Sequence, residues 1–331
     1  MNLVAPDHTP KRLKVAVVGV GRFGRFHARH LAETPLADLV AVVDTNHDAA
    51  DAVAREYGCV PFYDHRDLIG KVDAASVVVP ASSHFAVAHD LLQGGIDTLV
   101  EKPLCDDIGS AERLTGLAHE KGRILQVGHI ERFSSCFRAL VPRVEKPVYF
   151  ECNRISPWHD RILDADVIFD MMIHDIDMII GLAKSKVVDV SAVGTQLFSG
   201  KLDLANARLI FESGCVANIT ASRVSHKVER SLRVFQPGSY MVCDFVAHRI
   251  FRYSLKGDVS QISAKDIAIE VLDIPREDSL ANEIAEFLTC VRQRKKPTVD
   301  GQAGLEAVKI AAELNASVRK YLDRINGSVI D

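Results

Sequence analysis

The segment Asp170-Met171-Met172-Ile173-His174-Asp175-Ile176-Asp177 sets three carboxylates and an imidazole into a run that is otherwise apolar. Read as a helix at about 100° per residue, it places Asp170, His174 and Asp177 on one narrow arc and Ile168, Met172 and Ile179 opposite. A helix this apolar is buried, and buried carboxylate and imidazole groups need partners or a task. An imidazole, with an ordinary pKa of about 6.5, suits the removal of a proton from a hydroxyl near neutral pH. Asp170, one turn earlier, would orient the ring and stabilise its cation. The same i, i+4 pair with His159 or Asp175 could instead hold a metal as a Lewis acid. Metal-free proton transfer is the preferred expectation.

Two further motifs sit where strands end. Gly19-Val20-Gly21-Arg22-Phe23-Gly24 follows an apolar strand and opens a helix. In that context the glycines permit a tight turn and close backbone approach to a pyrophosphate, which the free N–H groups of the helix start then stabilise. Asp44 ends the next strand about twenty residues on, the place from which a carboxylate accepts hydrogen bonds from ribose hydroxyls. Asp44 would repel a 2′-phosphate, so NAD is expected, although Arg22 and Thr45-Asn46-His47 leave NADP open. Glu101-Lys102-Pro103 lies at the carboxyl end of another strand, where a lysine could donate to a reacting hydroxyl or stabilise its alkoxide. Pro80-Ala81-Ser82-Ser83-His84 occupies the same edge, with Ser82 or Ser83 expected to cap the following helix.

The elements that must position these residues follow from periodicity. Continuous apolar runs at Leu13 to Val20, Leu39 to Asp44, Ala74 to Pro80, Thr98 to Glu101 and Ile124 to Val127 read as buried parallel strands. Helical segments at Phe23 to Glu33, Ala49 to Tyr57, His84 to Gln93 and Ile108 to Lys121 fill the gaps, which makes residues 1–128 a doubly wound α/β (Rossmann) domain. After Gly128 the strands alternate polar and apolar residues around tight turns, as in Ala207 to Ser225 and Ser231 to Tyr253, so antiparallel sheet is expected. Two helices close the chain, one behind Ser279 and one after Gly301. Residues 129–331 are thus expected to form an α+β domain with a large, mostly antiparallel sheet.

Composition limits the tasks. The 331 residues are 47% hydrophobic and 25% charged, with a formal net charge of -4, enough for two sizeable cores and without an electrostatic reason to bind nucleic acid. The seven cysteines include no C-x-x-C pair, so they read as small buried apolar residues. No run is long enough to span a membrane and the first twelve residues lack a signal-peptide core, so the cytoplasm is the expected location. The basic run Arg292 to Lys296 reads as the solvated end of a helix.

Together these motifs resemble the Gfo/Idh/MocA family of sugar and inositol dehydrogenases, over nearly the whole chain. The resemblance implies that Lys102, Asp170 and His174 match the family's E-K-P and D-x-x-x-H catalytic positions. It likewise implies that Gly19, Gly21, Arg22, Phe23, Gly24, Asp44, Pro80, His84, Glu101 and Lys102 match cofactor-binding segments. Ala81 departs from relatives with Asn or Thr after the proline. Gln126-Val127-Gly128-His129-Ile130-Glu131-Arg132-Phe133 and the Asp170 to Asp177 stretch look most like the UDP-N-acetylglucosamine 3-dehydrogenase branch, in which NAD oxidises the sugar C3 hydroxyl and an aminotransferase converts the ketone for lipid A or related glycans. Arg132, Arg154 and Arg161 would then supply donors to the substrate diphosphate, with His174 also touching substrate. A homodimer or homotetramer is implied by the same resemblance. Another nucleotide sugar, a free polyol such as inositol, or a non-catalytic dinucleotide sensor on the same fold are the alternatives.

Overall fold

The computed structural model describes residues 12–158, 165–256 and 263–328. The chain divides into two units, each with its own sheet. The first takes the chain up to Leu104, then Glu112–Gly128 and Leu280–Gly301; the second takes Cys105–Ala111, His129–Ser279 and the chain from Gln302.

In the first unit six strands, β1 (Leu13–Val18), β2 (Ala37–Val43), β3 (Val60–Phe62), β4 (Ala74–Val77), β5 (Asp97–Glu101) and β6 (Leu125–Gly128), alternate with helices α1 (Arg22–Glu33), α2 (His47–Tyr57), α3 (Ala81–Gln93) and α4 (Ile108–Glu120). The strands lie in the order β3-β2-β1-β4-β5-β6 and every pairing is parallel. The order reverses between β1 and β4, so a crevice opens there at the carboxyl ends of the strands. β3 carries no apolar run of its own: it is Val60-Pro61-Phe62 on the sheet edge, where a proline's missing N–H is tolerated. The expected serine cap of α3 is replaced by Pro80, whose carbonyl accepts the Ser83 N–H at 2.8 Å while no side chain caps the helix. Capping chemistry is explicit at α2, where the Asn46 side chain accepts from Ala49 N and Gly58 closes the helix at φ 67°, the left-handed turn that glycine adopts at no steric cost.

The stretch Leu280–Gly301 returns to the first unit. Helix α7 (Ser279–Gln293) buries Ile284, Phe287, Leu288 and Val291 in the same core as Val15, Val17 and Leu99. Its amphipathic stripe was legible, but not the core it fills. At about 1.5–3 kcal/mol for each large apolar side chain buried, these four residues make α7 a structural part of the first unit. Val299 continues the association, accepting Val127 N–H at 2.9 Å beside β6.

The second unit is built on an eight-stranded sheet in the order β14-β13-β12-β11-β7-β10-β9-β8. Its strands are β7 (Tyr149–Ile155), β8 (Val187–Thr195), β9 (Leu204–Phe211), β10 (Val216–Ser222), β11 (Glu229–Gln236), β12 (Ser239–Asp244), β13 (Arg249–Leu255) and β14 (Ile267–Asp273). All pairs are antiparallel except β7 with β10. One face is apolar and covered: Phe150, Cys152, Ala217, Ile219, Leu232, Val234, Met241 and Ile250 are buried. Against it lies helix α6 (Ile173–Ala183), entered through the single wide turn Ile168–Met172. The short α5 (Ser135–Leu140) and the long α8 (Gly301–Ser328) complete the helices. The other face carries a row of half-buried side chains in register, Tyr149, Phe235, Tyr240 and Tyr253, with successive ring centroids 5.5, 5.2 and 4.5 Å apart. Of the seven cysteines six are buried and all are free thiols. Among the described residues, no helix is long and apolar enough to cross a membrane.

Candidate active site

In the glycine loop after β1 two of the three glycines are required sterically and the third lies against open space. Gly19 sits at φ 87°, and a Cβ there would lie 2.4 Å from the Val78 carbonyl oxygen at the end of β4. At Gly24 a Cβ would fall 1.8 Å from the Gly19 carbonyl oxygen, so only glycine lets α1 start this close to the strand. Gly21 is different: a Cβ there meets nothing within 4 Å. The backbone at Gly21 therefore faces open space at a helix N-terminus, the cradle a pyrophosphate requires. Arg22 and Phe23 are exposed in the first turn of α1, with Phe23 64% accessible. Asp44, at the end of β2, is held from both sides: one oxygen accepts the Val20 N–H of the loop at 2.8 Å and the other accepts Asn46 N–H at 2.9 Å. The carboxylate is thus fixed beside the loop with lone pairs to spare for two ribose hydroxyls. These residues fit a dinucleotide.

Lys102 follows β5, on the same carboxyl edge of the sheet, and its peptide bond to Pro103 is cis. His84, matched above to a cofactor-binding segment, is 1% exposed and ties two backbone segments: Nδ1 lies 2.8 Å from the Pro103 carbonyl and Nε2 2.9 Å from that of Val79. It holds the Lys102 loop to the end of β4. Glu101 accepts the Lys102 backbone N–H through Oε2 at 3.1 Å, and its Oε1 is 3.2 Å from Nε2 of buried His27. Burial works against a charged Glu101, but the His27 hydrogen bond and the nearby Lys102 charge outweigh it and hold the carboxyl below its usual range.

In the second unit the polar residues of the opening segment separate into two classes. The wide turn at Ile168–Met172, where the Ile173 N–H reaches the Ile168 carbonyl five residues back, changes the phase between Asp170 and the body of α6, so the single arc drawn from a uniform helix does not survive. Such one-turn insertions are frequent at functional sites. Asp170 and His174 are half-buried. Asp175 and Asp177, at 1% and 3% exposure, are inside.

Both buried aspartates are answered by arginines that the sequence reading assigned to substrate. Arg154, 5% exposed, donates from Nε to both Asp175 oxygens at 3.0 Å, from Nη2 to Oδ1 at 2.8 Å, and from Nη1 to Glu131 Oε1 at 2.8 Å. Its charge is already balanced by two carboxylates. Burial pushes Asp175 up despite the guanidinium. For Glu131 the Arg154 charge prevails over burial and lowers it. Arg132 places Nε 3.5 Å from Asp177 Oδ2, with its guanidinium carbon 5.4 Å from the Phe137 ring centroid. A Cβ at Gly181 would lie 1.3 Å from its Nη1, so the guanidinium occupies the space this glycine leaves on α6. Arg132 and Arg154 therefore anchor the helix that carries His174. Arg161 and His159 lie outside the described residues. Among the described residues, no cluster of His, Cys, Asp or Glu is arranged to hold a metal.

One residue of this site was missed. His129, fully buried just after β6, sets its ring edge-on to His174 with centroids 6.2 Å apart. Its only sequence signal was a place in the Gly128-His129-Ile130-Glu131-Arg132 string, with no spacing that tied it to residue 174.

Fold and loop together define a dinucleotide-binding protein with a second, sheet-based domain. Comparison with known proteins agrees: residues 13–129 match "Oxidoreductase family, NAD-binding Rossmann fold" and residues 127–237 match "GFO/IDH/MocA C-terminal domain". Over 313 residues the chain is 36% identical to UDP-N-acetylglucosamine 3-dehydrogenase from Acidithiobacillus ferrooxidans, spanning 94% of this chain and 99% of that one. A solved structure of that enzyme superposes with a TM-score of 0.88 at 35% identity, covering 95% of this chain and 100% of the other. The scyllo-inositol 2-dehydrogenase (NAD(+)) of Bacillus subtilis is 30% identical over 327 residues, 91% of this chain and 93% of that one. The chain belongs to the Gfo/Idh/MocA oxidoreductase family, and its cofactor is NAD.

Proposed function

We propose that the protein is an NAD-dependent dehydrogenase that oxidises a secondary hydroxyl of a sugar to a ketone, with C3 of UDP-N-acetylglucosamine as the substrate position. The observation that carries this reading is the end-to-end similarity to the UDP-N-acetylglucosamine 3-dehydrogenase of Acidithiobacillus ferrooxidans, in both sequence and fold. NAD, when bound, supplies the hydride acceptor; Gly19, Gly21, Gly24 and Asp44 are the residues that would hold it, with Arg22, Phe23 and Pro80 beside them. His174 takes the proton of the reacting hydroxyl, Asp170 stabilises the cation so formed, and Lys102 donates to the developing alkoxide. Asp175 and Asp177 do no chemistry; they keep α6 and the imidazole in place through Arg154 and Arg132. Donors to a diphosphate then fall to Arg161 among the arginines matched to substrate.

A keto-sugar product suits an aminotransferase acting next, in the synthesis of lipid A or a related glycan, and a cytoplasmic setting is consistent with that supply of nucleotide sugar. The aromatic row on the outer sheet face, continued by Ile269 at 63% and Val271 at 50% exposure, supports a homodimer or homotetramer formed through that face. A second reading, a polyol dehydrogenase, is favoured by the similarity to the scyllo-inositol enzyme.

The test is a screen of NAD and NADP reduction over UDP-N-acetylglucosamine, its uronic acid, other nucleotide sugars, glucose and inositols, with the ketone trapped by an aminotransferase and located by NMR. Reduction of NAD by UDP-N-acetylglucosamine with a C3 ketone is expected. Turnover of inositol or glucose alone would replace the nucleotide-sugar reading with the second one. His174→Asn should retain NAD affinity and lose about 10²–10⁴-fold in kcat; near-normal turnover would remove His174 from its role.

A further inference from the structure

Beneath Lys102 runs a buried chain of polar groups that the chemistry above does not use. Ser76, on β4 and 2% exposed, has its hydroxyl 2.8 Å from Nδ1 of His27, which is 2% exposed on the inner face of α1. The other ring nitrogen of His27 is 3.2 Å from Glu101 Oε1, and Glu101 Oε2 accepts the Lys102 N–H at 3.1 Å. One assignment of hydrogens satisfies every contact: Ser76 O–H donates to Nδ1, Nε2–H donates to Glu101, and Lys102 N–H donates to the far carboxylate oxygen. The chain thus has a direction, ending on the backbone of the residue whose ammonium meets the substrate. The other side of the carboxylate is equally built. A Cβ at Gly128, paired with Glu101 across β5 and β6, would lie 3.1 Å from Glu101 Cα, Cδ and Oε1, so a side chain there would press on the carboxylate and displace it by a few tenths of an ångström.

A buried imidazole bonded to a serine alone would be a satisfied core group. Here it is bonded to the carboxylate that accepts the Lys102 N–H, and together with the Lys102 charge its hydrogen bond holds that carboxyl below its usual range despite burial. We propose that His27 is a positioning residue for catalysis: with Ser76 behind it and Gly128 opposite, it fixes the Glu101 carboxylate, which in turn sets the backbone of Lys102 and keeps a negative charge beside its ammonium. The inference rests on the role given to Lys102 above. It adds that this role depends on a side chain 75 positions earlier in the chain that touches neither substrate nor cofactor.

The experiment is a double-mutant cycle in the full chain, assayed on the sugar that the wild-type protein turns over best. His27→Phe removes the donor while keeping an aromatic ring in the core; His27→Gln retains an amide N–H at comparable reach. His27→Phe is expected to lower kcat about tenfold or more while leaving KM for NAD within twofold, and His27→Gln to recover most of the loss. In a Lys102→Ala background His27→Phe should cost little further, because its effect is already gone. Gly128→Ala should reproduce the kcat loss of His27→Phe. Equal losses in His27→Phe and His27→Gln, or losses that add to Lys102→Ala in full, would mean a packing role only and overturn the proposal. If Lys102→Ala is itself as active as wild type, the role of Lys102 fails first, a result separable from failure at His27. If no sugar is oxidised at all, both fail together.

Discussion

Replacing Arg154 with methionine separates the two roles that an arginine at this position could have. In the structure its guanidinium is buried and makes four hydrogen bonds to two carboxylates, Asp175 and Glu131. Arg154→Met leaves Asp175, at 1% exposure, without a counter-charge. Removing one partner of a buried pair costs about 3–5 kcal/mol, and at roughly 2–4 °C per kcal/mol for a unit of this size the unfolding midpoint should fall by roughly 6–20 °C. Glu131 adds less, since its side chain is 14% exposed and Arg230 lies 3.9 Å away. The second change Asp175→Leu should restore most of the loss, because a buried ion pair replaced by apolar groups is often close to neutral. Thermal and urea unfolding followed by circular dichroism read both numbers; with two units the transitions are fitted separately rather than as one. KM of the surviving Arg154→Met protein for a diphosphate-bearing substrate should stay within about threefold. A loss of stability below about 1 kcal/mol, or a KM that rises tenfold with stability unchanged, would refute the anchoring argument and return Arg154 to the substrate.

Asp44→Ala should weaken NAD binding by roughly 10–100-fold, the worth of one or two hydrogen bonds to a charged acceptor, and narrow the preference for NAD over NADP; calorimetric titration with both dinucleotides decides it. Gly24→Ala, whose methyl group would collide with the Gly19 carbonyl, should abolish measurable dinucleotide binding while the second unit's unfolding transition remains. Asp203, buried under three backbone N–H groups, the Ser199 hydroxyl and Arg223, has its carboxyl held far below the usual range: burial opposes the charge, but the Ser199 hydrogen bonds and the other donors outweigh it. A depressed carboxylate contributes stability that is complete above its unfolded pKa of about 3.9 and lost as pH falls toward its folded value. Unfolding midpoints of the second unit should therefore drop on acidification below about pH 4, and Asp203→Asn should flatten that dependence and lower stability at pH 7.

How much of this was readable in the residues depends on whether the signal was local. The parallel strands and the first four helices come from apolar runs and their punctuation, and they lie within a few residues of where periodicity places them. Strand β3 escaped because an edge strand of three residues with a central proline has neither length nor pattern. The wide turn before α6 escaped because residues 168–179 support a continuous helix equally well, and the insertion leaves no mark in composition. The arginines illustrate the same limit. A guanidinium fork suits a carboxylate as well as a phosphate, and only the fold reveals that Asp175 and Asp177 face Arg154 and Arg132. Gly181, silent as a sequence letter, is explained by the guanidinium that fills its place. His27 and Gly128 likewise acquire meaning only when α1 packs on the sheet and β4, β5 and β6 are side by side.

The return of α7 to the first unit has a consequence for biogenesis. The chain passes between the two units at residues 104, 111, 128, 279 and 301, so neither unit is a contiguous stretch that could be synthesised and folded to completion alone. On the ribosome the nucleotide-binding core must wait, with the surface destined for Ile284, Phe287, Leu288 and Val291 uncovered, until some 150 further residues have emerged; at about 5–20 residues per second that interval is on the order of ten seconds or more. During it, an apolar groove is open to chaperones and to other nascent chains. A nonsense codon anywhere in the second sheet would therefore leave an unfinished nucleotide-binding core, rather than a free-standing one.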